Sequence, residues 1–152
     1  MLKLNRISFG GTAAIVSSMA LIVGLETADA TKKTIITALL IAALADNLTD
    51  SLSVHIYQES ERMAEKEAFY GTLTNFATRL ALCLSFVLLV AALPVSIATT
   101  GVLVWGALLL ATLTYFIAQE RQANAWTEVA KHLVVAGLII IASKGIGYWI
   151  SK

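Results

Sequence analysis

Apolar residues fall along this chain in five long runs separated by short polar stretches, and each run has the length that crosses a bilayer. The first covers residues 7–25 and is rich in Gly, Ala and Ser; the others cover 34–55, 73–93, 101–118 and 129–150. A spanning helix needs about 20 mainly apolar residues, so the pattern predicts five transmembrane helices. Glu26, Asp29, Lys32 and Lys33 mark the first break, and the charged stretch from Glu59 to Glu67 marks the second. Pro94, the only proline, stands where the third helix should stop, with Ser96 to Thr100 as a tight polar connection. Gln119 to Thr127 form the last loop, and Tyr148 and Trp149 sit near the end of the fifth run as interfacial anchors. The expected fold class is all-α: a polytopic membrane protein in which residues 1–152 make one five-helix domain.

Composition strengthens this. The chain is 58% hydrophobic and 14% charged, with a mean hydropathy of +0.79, whereas soluble domains average about 45–50% apolar and 25% charged. A net charge of +1 argues against nucleic acid as a partner. The lone Cys83 has no internal disulfide partner and carries no information on redox compartment. Met1 to Arg6 followed by an apolar run resembles a signal peptide, but no small-residue cleavage site precedes a soluble segment, so a retained first span is expected. Five spans put the termini on opposite sides. Lys3, Arg6, Arg62, Lys66, Arg121 and Lys131 collect on one side and Lys32, Lys33 and Lys152 on the other, which places the N-terminus in the cytoplasm. The expected location is the cytoplasmic membrane of a prokaryote.

The chemistry of interest lies in the second span. Asp46 and Asp50 are one helical turn apart and share a face. An ionised group in hydrocarbon costs about 2.5–3.5 kcal/mol on insertion scales and persists only with a partner, a proton, an ion or a water-filled cavity. Asn47, Thr49, Ser51 and Ser53 add polarity, and His55 and Glu59 continue the row to the mouth at near-helical spacing. Carboxylates with an imidazole suit a divalent cation, and a carboxylate pair also suits proton exchange. The candidate metal residues are therefore Asp46, Asp50, His55 and Glu59. The plainer alternative is a buried ion pair, because Arg79 in the third span and Lys144 in the fifth are possible cationic partners.

Other residues carry less. Glu59, Glu61, Glu65 and Glu67 interleave with Arg62 and Lys66 as an ordinary solvated helix face does. Met19 and Met63 are soft side chains that serve packing as readily as metal. His132 beside Lys131 reads as interfacial, and Gly10, Gly11, Gly137, Gly145 and Gly147 permit close helix approach. No metalloprotease, nucleophile, CxxC or phosphate-loop motif is present, so neither an enzyme nor a permanently bound cofactor is expected.

The order of segments resembles the vacuolar iron transporter family of five-helix divalent-metal carriers. Phe9-Gly10-Gly11-Thr12-Ala13-Ala14-Ile15-Val16-Ser17-Ser18 is similar to that family's FGLNDGLVST-type opening, and Gly24-Leu25 to its end. Asp50-Ser51-Leu52-Ser53-Val54, followed by Gln58-Glu59, resembles its GEYVSV…Q run. Pro94 and the glycine-marked segment from Ala130 to Gly147 complete the likeness, which covers nearly the whole chain. Three departures stand out. The family's metal-contacting aspartate of the first span falls on Ala13, a methionine of the second falls on Asp46, and the glutamate-rich cytoplasmic domain between the second and third helices is absent. Arg79 and Lys144 are not features of the family either.

The resemblance implies a homodimeric transporter of a divalent transition-metal cation, iron or manganese, exchanged for protons. The small-residue face of the first helix (Gly10, Gly11, Ala13, Ala14, Ser17, Ser18) would lie at the dimer interface. Partners would then be the lipid bilayer, a second copy and the metal ion. The alternative is a non-transporting scaffold or regulatory subunit with Asp46 and Asp50 in structural ion pairs. A carrier whose Arg79 and Lys144 meet an anion is the third possibility.

Overall fold

The computed structural model describes residues 4–62 and 64–152, with backbone only for residues 4–9, 95 and 96. Lys3, Met63 and the side chain of Arg6, which enter the charge and metal arguments above, lie outside the described residues. Five helices follow one another: α1 (Leu4–Thr27), α2 (Lys32–Ser60), α3 (Glu65–Ala92), α4 (Val95–Glu120) and α5 (Ala125–Ile150). All five are long and apolar enough to cross a membrane.

The helices run further than the apolar runs. The charged stretch from Glu59 to Glu67, expected to break the second and third spans, is helical at both ends, because Glu, Lys, Arg and Ala propagate a helix into water as well as they end one. Only residues 61–64 separate α2 from α3. The polar connection expected over Ser96 to Thr100 is likewise helical. Pro94 precedes the first residue of α4, and its carbonyl accepts the amides of Ile97 (3.1 Å) and Ala98 (2.9 Å). Thr31 and Asn124 cap α2 and α5 by accepting the amides of Thr34 (3.2 Å) and Thr127 (3.3 Å). The turns after α1, α2 and α4 each place a non-glycine residue in the left-handed region: Asp29 (φ 57°), Arg62 (φ 55°) and Gln122 (φ 56°). Around Asp29 and Gln122 the bonds from Ala30 N to Leu25 O and from Ala123 N to Ala118 O, both 2.9 Å, close the turn in a Schellman arrangement.

α1 stands at the centre, packed on α3, α4 and α5 and less extensively on α2. α2 pairs chiefly with α3, and α4 with α5 and α1, so α2 to α5 form an arc around α1 that is open between α2 and α5. Ile15, Met19 and Ile22 of α1 meet Leu39, Phe86, Val102 and Leu110 in the main core. Close approach is made by small residues. A Cβ on Gly10 would collide with Asn75 and Arg79, and one on Gly106 with Met19. Gly10, Gly11, Ala14 and Ser18 are buried within the chain. Of the small-residue face expected at a dimer interface, only Ala13 and Ser17 are exposed.

The exterior is as apolar as the core. Leu44, Leu48 and Leu52 of α2 and Val134, Leu138 and Ile141 of α5 are more than half exposed, while Asn47, Asn75 and Arg79 are at most 3% exposed. A water-soluble bundle has the reverse arrangement. Apolar outside and polar inside is the distribution that a hydrocarbon solvent selects, and the protein is a multi-pass membrane protein that contacts lipid.

Candidate functional site: the polar face between α2 and α3

The buried residues of α2 recur every fourth position through Leu39, Ala43, Asn47 and Ser51, and Gln58 continues the stripe. On α3 the matching stripe is Ala68, Gly71, Asn75, Arg79 and Cys83. The two helices are antiparallel neighbours, so the stripes face each other along their length. Gln58 packs on Gly71, where a Cβ would press on its side-chain amide, and His55 Nδ1 lies 3.3 Å from Thr72 Oγ1.

Deeper in, Arg79 organises the site. Its Nη1 forms a salt bridge with Asp50 Oδ2 and donates to the carbonyl of Gly10 at 3.3 Å, and its Nε donates to Asn47 Oδ1 at 2.8 Å. The guanidinium thus ties α1, α2 and α3 together, and the missing side chain at Gly10 is what lets it reach the α1 backbone. The Asp50 side chain is 36% exposed and that of Arg79 is 4% exposed.

Asp46 is placed differently. It is exposed, and its carboxylate has neither an ion pair nor a hydrogen bond among the described residues. With Ser17, Ser18, Asn47, Arg79 and Cys83 it lines a small cavity of about 130 Å³ between α1 and α2. Ser18 Oγ lies 3.7 Å from Cys83 Sγ on the wall of that cavity. Carboxylate, hydroxyl, amide and thiol groups around a small cavity are donors of the kind that meet a cation, with the Arg79 guanidinium as an opposing positive charge on the same wall.

The remaining candidates lie elsewhere. His55 Nε2 is 3.5 Å from Glu59 Oε1 near the end of α2, so these two form their own pair at the mouth. Lys144 is exposed on α5, which packs on α1 and α4, and makes no ion pair among the described residues. No three His, Cys, Asp or Glu side chains converge to hold a metal ion among the described residues. Thr49 and Ser53 turn their hydroxyls back to Ala45 O (2.9 Å) and Thr49 O (3.0 Å) and so face lipid without an orphaned donor.

Sequence reasoning missed Asn75 and underrated Gln58. The signal was present: Asn75 and Arg79 are four apart, as are Asn47 and Ser51, and such polar stripes on two successive spans belong face to face. A second, larger cleft of about 660 Å³ separates α1, α4 and α5, with Arg121, Glu128 and His132 at its mouth over a mostly apolar wall. Comparison with known proteins adds no identity, since no protein-family model, curated protein or solved structure matches the chain.

Proposed function

We propose that the protein is a small membrane carrier of a divalent transition-metal cation, of the vacuolar iron transporter type, with Asp46 as the ligand that meets the ion. One observation carries this reading: a carboxylate within a spanning helix, without an ion pair among the described residues, faces a cavity lined by Ser17, Ser18, Asn47 and Cys83, where Arg79 is already engaged by Asp50. A charge left unpaired at such a position is a functional group by default, because a purely structural one would be neutralised. Asp50 has a different task. Held by Arg79, which also donates to Asn47, it fixes the geometry of α2 beside the cavity rather than binding the ion. The substrate is iron or manganese, carried against protons, and His55 and Glu59 form the entrance.

A homodimer fits the same picture. Ala13 and Ser17 are exposed on α1, Ser17 shares a cavity with Asp46, and a second copy there would shield the carboxylate from lipid. The excess of Lys and Arg on one side supports an N-terminus in the cytoplasm.

Uptake of iron(II) and manganese(II) by proteoliposomes tests the proposal. The Asp46→Asn variant should lose uptake while folding normally; transport at the unaltered rate in that variant sinks it. The Asp50–Arg79 salt bridge favours a second reading, a scaffold or regulatory subunit that keeps the fold without transport. Under that reading no divalent metal moves in the unaltered protein either.

A further inference from the structure

Among the described residues, four buried polar atoms have no hydrogen-bond partner: Asn47 Nδ2, Ser51 Oγ, Asn75 Nδ2 and Gln58 Oε1. Their residues are 0%, 5%, 2% and 9% exposed. All four lie on one stripe, the contact face of α2 and α3. An unmet polar group away from water costs about 1–3 kcal/mol, and four clustered on one interface call for a shared compensating partner.

Their order along the interface is informative. The contacts of Gln58 with Gly71, His55 with Thr72, and Asn47 and Asp50 with Arg79 fix the register of the two antiparallel helices. That register sets Ser51 level with Asn75, yet neither bonds to the other. From Gln58 to Asn47 the helix rises about 16 Å, and polar side chains occupy both walls over that distance. Beyond Arg79 the character changes. Ala43, Cys83 and Ala14 close the interface, and Leu39 and Phe86, at most 1% exposed, follow. The polar half therefore begins at the α2–α3 hairpin and runs to the Arg79 guanidinium, behind which lies the small cavity shared with Asp46, Ser18 and Cys83.

We propose that the α2–α3 interface binds a file of water molecules running from Gln58 at the hairpin to the Asp50–Arg79 salt bridge. Each water meets the two or more polar partners that a buried water requires. Asn75 and Ser51 share one, and Asn47 Nδ2 with the Asp50 carboxylate holds another. Gln58 Oε1 and the nearby imidazole of His55 connect the file to solvent. The Arg79–Asp50 pair is then in contact with water from the hairpin side although Arg79 is buried, and the core residues Phe86 and Leu39 pack further along the same interface. This holds whether or not the bundle carries an ion, so a negative transport assay leaves it standing.

The chain has four asparagines, at positions 5, 47, 75 and 124, which makes their side-chain amides separable probes. The unaltered protein, labelled with ¹⁵N at asparagine and reconstituted in bilayers of deuterated lipid, is measured by solid-state NMR as magnetisation passes from water protons to the side-chain amides. Asn124, an exposed helix cap, is the hydrated reference, and single Asn47→Ser and Asn75→Ser variants assign the two buried signals. Build-up at Asn47 and Asn75 within about twofold of that at Asn124 is the expected result for groups bound to water. A longer lag at both positions overturns the proposal, and it does so in the unaltered protein whether or not the variants fold.

Discussion

Arg79 closes on Asp50 across the α2–α3 interface, so that a cation on one span neutralises an anion on the next inside the bundle. Asp46, one turn away on α2, receives nothing from the same guanidinium. Two acids that look equivalent by spacing thus have opposite environments, and variants at the two positions should behave differently.

Breaking the pair should be expensive. Arg79→Met leaves the Asp50 charge uncompensated, and Asp50→Leu strands a buried guanidinium. Each single change should lower stability by about 3 kcal/mol. The double variant should recover most of that loss, because an apolar pair replaces an ionic one. Thermal unfolding of detergent-solubilised protein, followed by circular dichroism, checks the cycle.

Asp46→Asn should leave the melting temperature within the range of an ordinary surface change, about 0.5 kcal/mol either way, since no protein group depends on that carboxylate. A large loss of stability would place Asp46 in a structural role and contradict its assignment as a ligand.

Gly10 and Gly137 provide a contrast at fixed chemistry. Gly10→Ala should destabilise strongly, as its Cβ collides with Asn75 and Arg79 and pushes the guanidinium off the α1 carbonyl. Gly137→Ala meets nothing within 4 Å and should stabilise by about 0.5–1 kcal/mol through helix propensity alone. Melting curves of the two variants should move in opposite directions.

The turn after α4 holds Gln122 at φ 56°, a conformation that costs an L residue about 1 kcal/mol and glycine almost nothing. Gln122→Gly should therefore raise stability by several tenths of a kcal/mol, measurable as a higher unfolding midpoint. A decrease would mean that the Gln122 side chain makes a compensating contact.

The five helices were legible because each apolar run matches a bilayer in length, and Pro94 marked a true boundary. Helix ends were less so: the residues from Glu59 to Glu67 are polar enough for a loop yet are good helix formers, and polarity alone does not separate a solvated helix from a turn. Asp46 and Asp50 stood out on cost alone. Which of them would meet Arg79 was not legible, because 40° of rotation between positions four apart decides it, and that angle is set by how α2 seats on α3. Lys144 looked like an equal partner in the sequence; α5 packs on α1 and α4 with Lys144 outward, a choice made by Ser143, whose hydroxyl donates to Ala20 O at 2.5 Å, and by Gly147 against Gly24. Asn75 was passed over because a single amide in a long apolar run has no meaning until its facing residue is known.

The central position of α1 bears on how the chain is made. The first of the five helices to leave the ribosome is the one whose neighbours are α3, α4 and α5, and its contact with α2 is slight. During synthesis its glycine and serine positions, together with the acceptor at Gly10 O, remain without their final partners until much of the remaining chain has entered the membrane. Biogenesis must therefore shelter α1, in the insertion machinery or against lipid, and nascent chains halted after α2 should be targets for quality-control proteolysis, whereas chains that extend through α4 should have most of the cage that protects it.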